Sequence, residues 1–522
     1  MSEDRSTLLP RKTKARAANP RIPTLTVMTH PDPDQIGKRA FLANLNRGKE
    51  VRITRTEPLF HPPGSAVGAS LADPYISRKP IVVRVAGDQT LEVDTGATQT
   101  ELSTPFPCRD DIYRIPLQRL ERGVPLMLGD RIMLLLHWSA IAETPHDEIT
   151  RDHGLVGASA AVMGLRAEIE RVADLKTPVL LRGASGTGKE LVAHAIHGAH
   201  PGKRPFIGVN LGAIPASLAA SELFGAVRGS FTGASRDQSG FFRAAQGGTL
   251  FLDEVGEAST EVQVMLLRAL ETGEICPVGA QQSIRVQTRV IAATDADLEE
   301  KMAQDSFKTP LFHRLAGYEI HLPPLRDRLE DFSRLFFHFA RKELDELGES
   351  HRLVPRGVDQ EPWFPPDLVS RLLEFHWPGN IRQLRNVVRQ LVIGCRGKDQ
   401  LYMDPKLTQL LGIPDSGAPP TPLPSQRTTL KRKPASVSVE EIRAALARCD
   451  GDIKSAANHL GISRAGLYHL IEKTPGLKTA SDLDVADIER GLQEHHGDLQ
   501  ALAKHFGISR RALRRRMTLL GL

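Results

Sequence analysis

The sequence predicts a multidomain protein in three folded parts: an all-β sandwich, an α/β domain with a helical lid, and an all-α region with tandem helix-turn-helix motifs. Short β-branched runs separated by turn residues indicate the first part, over residues 24–140. Apolar strand-like runs that alternate with helical segments indicate the second part and a parallel sheet within it. A repeated segment near the C-terminus indicates the third part. The length of 522 residues exceeds what one hydrophobic core accommodates.

The predicted boundaries follow changes in composition. A polar, basic arm, residues 1–23, precedes the β domain and lacks the apolar segment of a secretory signal. The α/β core is predicted at 150–345, its helical lid at 346–412 and the helix-turn-helix region at 438–522. Residues 413–437 contain six prolines in 25 positions and are predicted to form a linker, because such a segment cannot bury a core.

Two features of the composition indicate a cytoplasmic protein. The longest strongly apolar stretch, Ile132 to Leu136, is too short to cross a bilayer, so no membrane helix is predicted. The cysteines are widely separated, which argues against a zinc knuckle, a redox pair or a disulfide framework; they are Cys108, Cys276, Cys395 and Cys449.

The net charge of +6 is confined to the C-terminal end of the chain. Residues 427–522 contain 17 basic and 11 acidic residues, so the preceding 426 residues carry no net charge. A basic region of this kind favours contact with nucleic acid.

The same region contains an internal repeat with a spacing of 46 residues. Residues 446–473 align without gaps with residues 492–519, and 10 of 28 positions are identical. Each copy has a helical segment, a short glycine turn and a second helix opened by a serine, which is the pattern of a helix-turn-helix motif. The second helices are the predicted DNA-contacting elements. Their candidate residues are Ser463, Arg464, His469 and Lys473 in the first copy, and Ser509, Arg510, Arg511, Arg514, Arg515 and Arg516 in the second.

A phosphate-binding loop (P-loop) is predicted in the segment GASGTGKE, which follows a strand-like run and precedes a helical one. Its glycines let backbone N–H groups surround phosphate oxygens, and Lys189 reaches the β- and γ-phosphates. Glu190 stands where a hydroxyl residue is usual, so that metal ligand is missing. The candidate nucleotide-binding residues are Gly183, Ala184, Ser185, Gly186, Thr187, Gly188, Lys189 and Glu190.

A P-loop alone also suits a kinase, a GTPase or a motor. A second motif, which is acidic, narrows the class of enzyme. In GGTLFLDE, Asp253 ends an apolar strand and is placed to hold Mg²⁺, directly or through water. Glu254 can polarise a water molecule for attack on the γ-phosphate of ATP. The pair therefore predicts an ATPase that hydrolyses ATP with Mg²⁺, in preference to an enzyme that transfers phosphate to a metabolite.

From about residue 154 to residue 411, the chain resembles the AAA+ domain of sigma-54-dependent transcriptional activators, also called bacterial enhancer-binding proteins. The most specific likeness is ESELFGAVRGSFTGA, which is similar to the family's GAFTGA loop. The resemblance implies that this loop contacts sigma-54 and couples ATP hydrolysis to opening of the promoter complex. Ser230 replaces the family's alanine. The implied contact residues are Gly229, Ser230, Phe231, Thr232, Gly233 and Ala234.

The resemblance also assigns residues around the nucleotide. Asn210 matches an asparagine that restrains the catalytic glutamate, which makes Asn210 and Glu254 a candidate nucleotide switch. Thr294 matches the sensor I position. Asp295 stands where the family usually has asparagine. An ionised carboxylate can only accept hydrogen bonds, whereas the amide of asparagine can also donate them.

Three basic residues complete the implied ATPase site. Arg314 matches an arginine finger supplied to the ATP of a neighbouring subunit, and Lys308 replaces a second finger with a point charge that lacks the planar fork. Arg382, in WPGNIRQLRNV, matches sensor II of the lid. Fingers that act on a neighbour imply a ring, expected to be a hexamer or heptamer.

Both ends of the chain resemble further families. The repeats are similar to the Fis-type DNA-binding domain. We infer that the two motifs form a pseudo-dimer within one chain or that each of them reads one half-site in DNA. The β domain is similar to forkhead-associated domains, which bind phosphothreonine peptides. The resemblance implies that Arg55 and Ser77 contact phosphate and that Arg78 braces the loop. Thr54 and Pro80 stand where that family has glycine and histidine.

The sequence therefore predicts a DNA-binding activator whose ATPase ring remodels the sigma-54 RNA polymerase holoenzyme, gated by phosphopeptide binding at the N-terminal domain. The expected partners are enhancer-like DNA, the polymerase, further copies of the chain, and a phosphothreonine protein or Ser/Thr kinase. One alternative is a DNA-binding AAA+ regulator or repressor that does not engage sigma-54. Another is a helicase-type motor, which the GSFTGA loop and the separate DNA-binding region disfavour.

Overall fold

The computed structural model describes residues 21–87, 89–140, 152–200, 202, 204–230, 236–355, 361–412, 439–448 and 483–495, with residues 460, 502, 505, 506, 513 and 517. The chain divides into two compact units, residues 1–413 and 414–522. A search of the described helices finds none with the length and apolar character needed to cross a membrane.

The N-terminal domain is an all-β sandwich. Its strands are β1 (Arg21–Thr29), β2 (Arg39–Phe41), β3 (Val51–Ile53), β4 (Ile81–Ala86), β5 (Thr90–Asp94), β6 (Leu102–Ser103), β7 (Cys108–Arg109), β8 (Ile112–Pro116), β9 (Val124–Leu128) and β10 (Ile132–Ala140). They form two antiparallel sheets, in the orders β2-β1-β10-β9-β6 and β3-β4-β5-β8-β7. One buried cluster contains Val27 and Leu134 from the first sheet and Val83 and Val93 from the second. The sheets therefore pack face to face, as the alternating sequence pattern predicts.

The first strand begins earlier than predicted, so the boundary at residue 24 is wrong by three residues. Arg21 and Ile22 pair with Ala140 and Ser139 of β10. Arg21 Nη1 also lies 2.7 Å from Glu121 Oε1. Arg21 and Pro23 precede the β-branched run, and a charged residue and a proline are typical of a polar arm. The start of β1 is instead determined by its pairing with β10. The rest of the predicted arm lies outside the described residues.

The α/β core contains a parallel sheet covered by helices on both faces. The strands β11 (Val179–Arg182), β12 (Phe206–Asn210), β13 (Thr249–Asp253), β16 (Arg289–Thr294) and β17 (Tyr318–His321) have the order β12-β13-β16-β11-β17. A short hairpin consists of β14 (Glu274–Ile275) and β15 (Ile284–Arg285). The helices are α1 (Ala160–Val172), α2 (Lys189–Ala199), α3 (Ala216–Phe224), α4 (Phe241–Ala244), α5 (Thr260–Thr272), α6 (Leu298–Ala303) and α7 (Thr309–Leu315).

The central strand β13 shows why its sequence is apolar throughout. Leu250 and Leu252 pack in the cluster that contains Leu266 of α5. Phe251, between them, packs in the opposite cluster with Val192 of α2. A strand buried on both faces has no polar side, which is typical of parallel sheets.

The lid contains α8 (Phe332–Leu347), α9 (Pro366–Glu374), α10 (Asn380–Gly394) and α11 (Pro405–Leu411). The predicted boundary between residues 345 and 346 lies inside α8 and is therefore wrong. Phe332, Phe336 and Leu344 of α8 share a buried cluster with Leu372 of α9 and Leu391 of α10. The whole of α8 thus belongs to the lid, because its apolar face packs there.

The C-terminal unit is helical where it is described. It contains α12 (Val439–Arg448) and α13 (Val485–Glu494). Leu483 and Ile488, which precede the second repeat, form a buried cluster with Leu502 and Leu513 of that repeat. The predicted linker lies outside the described residues.

Candidate nucleotide-binding site

The polar residues predicted for the site meet at one edge of the parallel sheet. The strands run in the same direction, so their carboxyl ends lie together, where open α/β sheets usually bind ligands. The register pairs Asn210 with Asp253 and Arg182 with Thr294. The P-loop, residues 183–190, starts directly after Arg182.

The P-loop connects β11 to α2, as predicted. Gly186 and Gly188 have φ angles of 76° and 103°, in the left-handed region that glycine adopts without a steric penalty. Gly186 also contacts the backbone oxygen of Gly379 in the lid, and no Cβ would fit there. Thr187 is buried, and its Oγ1 donates to the carbonyl of Ala184 over 2.8 Å. The loop is therefore shaped by its own hydrogen bonds and by the lid.

Lys189 stands among the acidic residues of the site. It is the first residue of α2, and its Nζ donates to the carbonyl of Gly183 over 2.7 Å. Burial lowers the pKa of Lys189, while the nearby carboxylates of Asp295 and Asp253 favour the charged ammonium and oppose that shift. Glu190 follows with an exposed side chain in the first turn of α2. The ammonium of Lys189 thus lies where phosphate oxygens would meet the loop.

Glu254 has a strained backbone. It follows β13 with φ 55° and ψ 44°, a left-handed conformation that non-glycine residues seldom adopt. Its N–H donates to Oδ1 of Asp253 over 3.0 Å, and its carboxylate extends over Gly212, where a Cβ would collide with it. Residues in this region cost about 1–3 kcal/mol and cluster at functional sites. The carboxylate of Glu254 thus lies beside Gly212, while that of Asp253 binds the backbone of Glu254.

Asn210 lies close to Glu254, but its amide oxygen is engaged elsewhere. Asn210 Oδ1 accepts the N–H of Ala213 over 3.1 Å and caps a short 3-10 turn. Both Asn210 Oδ1 and Glu254 Oε2 border Gly212. Because a carboxylate only accepts hydrogen bonds, a contact with Glu254 would use the Nδ2 donor of Asn210 and not the oxygen that Ala213 binds. The switch itself stays a prediction.

Thr294 and Asp295 occupy the neighbouring strand end. Thr294 is buried, and its Oγ1 accepts the N–H of Ala296 over 3.1 Å. Its carbonyl accepts the N–H of Gly183 over 3.3 Å, which ties the P-loop to β16. Asp295 is exposed and acts electrostatically on Lys189.

The start of α10 contacts the P-loop through a residue that the sequence analysis missed. Asn380 is only 1% exposed, and its Nδ2 donates to the carbonyl of Ser185 over 2.9 Å. Its Oδ1 accepts the N–H of Leu325 over 2.9 Å. Arg382 is exposed, and its Nη1 donates to Ser185 Oγ over 3.2 Å. The Pro-Gly-Asn sequence at the start of α10 indicates where a helix begins. It does not indicate the hydrogen-bond partners of Asn380 and Arg382, which lie far away in the chain.

An apolar cavity beside the P-loop was also missed. Thr187 and Gly188 line it, and most of its other walls are apolar, from the segment before α1, from α2 and from the lid, which also contributes Arg328 and His338. Such a slot next to a phosphate-binding loop suits the flat, apolar faces of a nucleotide base. Its lining includes Leu155, Val156, Val162, Leu191, Leu322 and Ile381.

The two candidate arginine-finger positions lie at the two ends of α7. Arg314 is exposed, and its Nε is 3.3 Å from Glu271 Oε1. Exposed ion pairs of this kind contribute little stability, so this contact leaves Arg314 able to exchange partners. Lys308 precedes the helix, and its N–H donates to Gln263 Oε1 over 2.8 Å. The finger roles of both residues stay predictions.

The GSFTGA segment leaves the core on a hairpin stem. Ala226 bridges Gln238 on the returning side and Val278 on the other. Gly229 is exposed with φ 82°, and the N–H of Ser230 donates to the carbonyl of Val227 over 3.2 Å. The other predicted contact residues, Phe231, Thr232, Gly233 and Ala234, lie outside the described residues.

The predicted phosphate-binding residues of the β domain line one cavity. Arg55, Ser77 and Arg78 border it together with Tyr75 and Lys79. Arg55 braces the loop, because its Nη2 donates to the carbonyl of Pro74 and its Nε donates to that of Ile76 over 3.1 Å. Arg78, which was expected to brace this loop, is exposed at the edge of the cavity. Arg55 therefore makes the bracing contacts that were expected of Arg78, while the phosphate contacts of Arg55 and Ser77 stay predictions.

The predicted DNA-contacting residues lie outside the described part of the structure. These are Ser463, Arg464, His469 and Lys473, and Ser509, Arg510, Arg511, Arg514, Arg515 and Arg516. Leu513, between them in sequence, is buried in the cluster of the second repeat.

Comparison with protein families identifies three kinds of domain. Residues 155–321 match the family model of the sigma-54 interaction domain. Residues 326–404 match the AAA+ ATPase lid domain, which places the lid boundary where the packing of α8 does. Residues 434–473 and 483–518 match the bacterial regulatory protein family of Fis type, so both repeats are recognised.

Individual relatives share the central domain. The DNA-binding transcriptional regulator NtrC of Escherichia coli (strain K12) is 42% identical over 251 residues, 48% of this chain and 51% of that protein. The chain thus spans about half the length of this relative. The nitric oxide reductase transcription regulator NorR1 of Cupriavidus necator is 38% identical over 352 residues, 64% of this chain and 66% of that protein. A crystal structure of NtrX from Brucella abortus in complex with ADP has 29% identity and a TM-score of 0.45, covering 71% of this chain and 70% of that one.

Proposed function

We propose that this chain, whose centre is an AAA+ P-loop ATPase of the sigma-54 interaction type, activates transcription by remodelling sigma-54 RNA polymerase holoenzyme. The observation that carries the proposal is the convergence of Lys189, Asp253 and Glu254 at one sheet edge, in a domain that also carries the GSFTGA loop. The alternative of a regulator without sigma-54 contact leaves that loop without a role.

ATP is the proposed substrate. Lys189 would bind the β- and γ-phosphates. The lid residue Arg382, whose Nη1 donates to Ser185 Oγ of the P-loop, would also approach them. Glu254 would orient a water molecule and accept its proton as the water attacks the γ-phosphate. The apolar cavity beside Thr187 would hold the base.

The acidic residues fit Mg²⁺. Asp253 and Glu254 offer carboxylate oxygens, the ligands that Mg²⁺ prefers. When bound, Mg²⁺ would neutralise charge on the phosphate oxygens. Asp253 is the residue proposed to hold it, with Oδ1 already fixed by the N–H of Glu254.

The GSFTGA loop is the proposed sigma-54 contact. Ala226 of its stem bridges Val278, which lies between β14 and β15. This hairpin follows α5, which begins shortly after Glu254. We expect Thr232→Ala to retain ATP hydrolysis within about two-fold but to lose sigma-54 binding in the presence of MgADP and aluminium fluoride, because an interface hot spot is removed while the proposed catalytic residues are unchanged. Gel filtration with purified sigma-54 measures the complex.

A matched control is Thr272→Ala, which removes an exposed threonine at the end of α5 and should bind sigma-54 normally. If Thr232→Ala binds sigma-54 as well as the Thr272 variant does, the loop is not the contact and the alternative regulator is favoured.

We further propose a ring, DNA binding and a phosphorylated partner. Arg314 and Lys308 would act on the ATP of a neighbouring subunit in a hexamer or heptamer. Both Fis-type repeats would contact enhancer-like DNA, with arginines on phosphates fixing the register and a few base contacts reading the sequence. The cavity of the β domain would bind a phosphothreonine protein, such as a Ser/Thr kinase, because its rim carries Arg55, Arg78 and Lys79.

The phosphopeptide proposal predicts that Arg55→Ala weakens binding of phosphothreonine peptides by at least about ten-fold, since a charge-assisted contact is lost. The full chain, assayed against a phosphothreonine peptide library by fluorescence anisotropy, provides the measurement. Arg52→Ala is the control, because Arg52 is an exposed arginine of β3 paired with Glu50 outside the cavity. Equal peptide binding by the Arg55 variant, the Arg52 variant and the wild type would rule out this role for the cavity.

A further inference from the structure

The N-terminal domain packs on the lid through a buried apolar contact. Met28, Met133 and Leu135 of the β domain belong to the same buried cluster as Phe332 and Phe364 of the lid. Thr29 Oγ1 donates to the carbonyl of Phe364 over 2.6 Å. We call this contact the docking interface. Its buried apolar surface makes it part of the lid core.

The turn before β2 fits closely against α8. Gly37 has φ 77°, and a Cβ at this position would lie 2.5 Å from Cγ of Arg334. A larger residue would have to displace the arginine stem and adopt an unfavourable backbone conformation. Gly37 therefore offers a way to disturb the docking interface without altering the residues described next.

Arg39 extends from β2 into the ATPase domain. The residue is only 6% exposed, and its Nη1 donates to the carbonyl of Ala158 over 2.8 Å. Its Nη2 lies 3.6 Å from Oδ1 of Asp331, which is also buried. The N-terminal domain thus places a buried positive charge beside the segment that precedes α1.

Asp331 holds the same segment from its other side. Its Oδ1 accepts the N–H groups of Ala158 and Ser159 over 2.6 and 2.9 Å. Arg39 and Asp331 together therefore bind both the carbonyl and the N–H of Ala158. Arg166 also binds this segment, at the carbonyls of Leu155 and Gly157, but the two hydrogen-bonding groups of Ala158 itself are held by Arg39 and Asp331.

The fixed segment lies between residues that line the apolar cavity beside the P-loop. Leu155 and Val156, just before it, line that cavity, as does Val162 in the first turn of α1. Ser159 caps α1 by accepting the N–H of Val162 at its Oγ over 3.2 Å. A shift at Ala158 would be transmitted along this short stretch to Leu155 and Val156 on one side and to Val162 on the other.

We propose that Arg39 is a positioning residue for the nucleotide site: by docking on the lid, the N-terminal domain holds Ala158 and Asp331 and so keeps the base pocket in its binding shape. This coupling gives a ligand of the N-terminal domain a physical route to the ATPase. It requires only that the central domain binds nucleotide, and it is independent of sigma-54 and of the phosphopeptide.

Removal of Arg39 leaves Asp331 with its carboxylate buried and without that counter-charge. Breaking a buried ion pair by removing one partner is strongly unfavourable, and Arg328 and Arg334, which also act electrostatically on Asp331, do not bind Ala158 in its place. The segment that contains Ala158 is therefore expected to move. Since Arg39 is not placed near the γ-phosphate, the loss should appear in nucleotide affinity and KM, with kcat little changed.

The test measures MgADP affinity and steady-state ATPase activity of the full chain. We expect Arg39→Ala to raise the Kd for MgADP by at least about five-fold, the lower end of typical couplings between sites, with KM for ATP raised similarly and kcat within about two-fold. Arg39→Lys should recover part of the affinity, because it restores the charge but not the fork. Gly37→Val should reproduce the affinity loss by disturbing docking alone.

Two further variants distinguish this positioning role from a nonspecific loss of stability of the N-terminal domain. Arg21→Ala removes an exposed arginine of the same domain and should leave affinity unchanged. In an Asp331→Asn background, Arg39→Ala should have a much smaller effect, because the two side chains act as a pair. Normal MgADP affinity in Arg39→Ala, or an undiminished loss in the Asp331→Asn background, would overturn the inference. A wild-type chain that binds no MgADP would overturn it together with the proposed ATPase function.

Discussion

Replacing Glu254 with glutamine is expected to reduce ATP hydrolysis by about 10²–10⁴-fold, the usual contribution of a general base. The amide cannot accept the proton of the attacking water, whereas Lys189 and the P-loop remain to bind phosphates. Nucleotide affinity should therefore change little. A coupled phosphate-release assay measures kcat, and a fluorescent ATP analogue measures affinity in the same preparation.

The matched control is Glu261→Gln, which removes an exposed carboxylate from the first turn of α5. Its kcat should equal that of the wild type. A Glu254 variant that retains kcat within about three-fold of this control would show that another group activates the water. The strained backbone at Glu254 would then need a different explanation.

The largest effect on stability is expected at Asn380. Asn380→Ala leaves the carbonyl of Ser185 and the N–H of Leu325 without their partner. The N–H of Leu325 is buried, whereas the contact at Ser185 is only partly buried and open to replacement by water. One buried unsatisfied group costs about 1–3 kcal/mol, so the free energy of unfolding should fall by about that amount. Urea denaturation followed by tryptophan fluorescence is suited to the measurement, because Trp363 and Trp377 are both buried in the lid.

Asn386→Ala is the control for this prediction. It alters an exposed asparagine on the same helix, α10, and should cost little stability. Addition of MgADP should stabilise the wild type more than the Asn380 variant, since Asn380 joins the lid to the P-loop. Equal unfolding midpoints for the two alanine variants would contradict the role assigned to the Asn380 contacts.

Local patterns in the sequence were sufficient to locate much of the ATPase site. The P-loop and the residues Asp253 and Glu254 could be found because each lies within a short segment with a defined strand before it. Their convergence followed from the parallel order of the strands. The all-β character of the N-terminal domain was likewise predictable from alternating residues, although the exact start of β1 depended on its pairing with β10.

Contacts between distant segments could not be predicted in the same way. Asn380 binds Ser185 across 195 residues of sequence, and its own surroundings indicate only a helix start. Arg39 binds Ala158 across 119 residues, from a strand whose pattern suggests an ordinary edge position. The lid boundary was misplaced for a related reason: the partners of α8 are α9 and α10, and composition does not reveal which domain a helix packs against.

ATP hydrolysis by this chain is proposed to open promoters held by the sigma-54 holoenzyme. It is tested most directly by permanganate footprinting of a sigma-54 promoter that lies near a strongly bound site of the chain. Reactive, unpaired thymines should appear around the start site only with holoenzyme, wild-type chain and hydrolysable ATP together, and should be absent with Glu254→Gln. A chain that hydrolyses ATP and occupies its site, yet leaves the promoter as double-stranded as the holoenzyme alone does, would contradict the account.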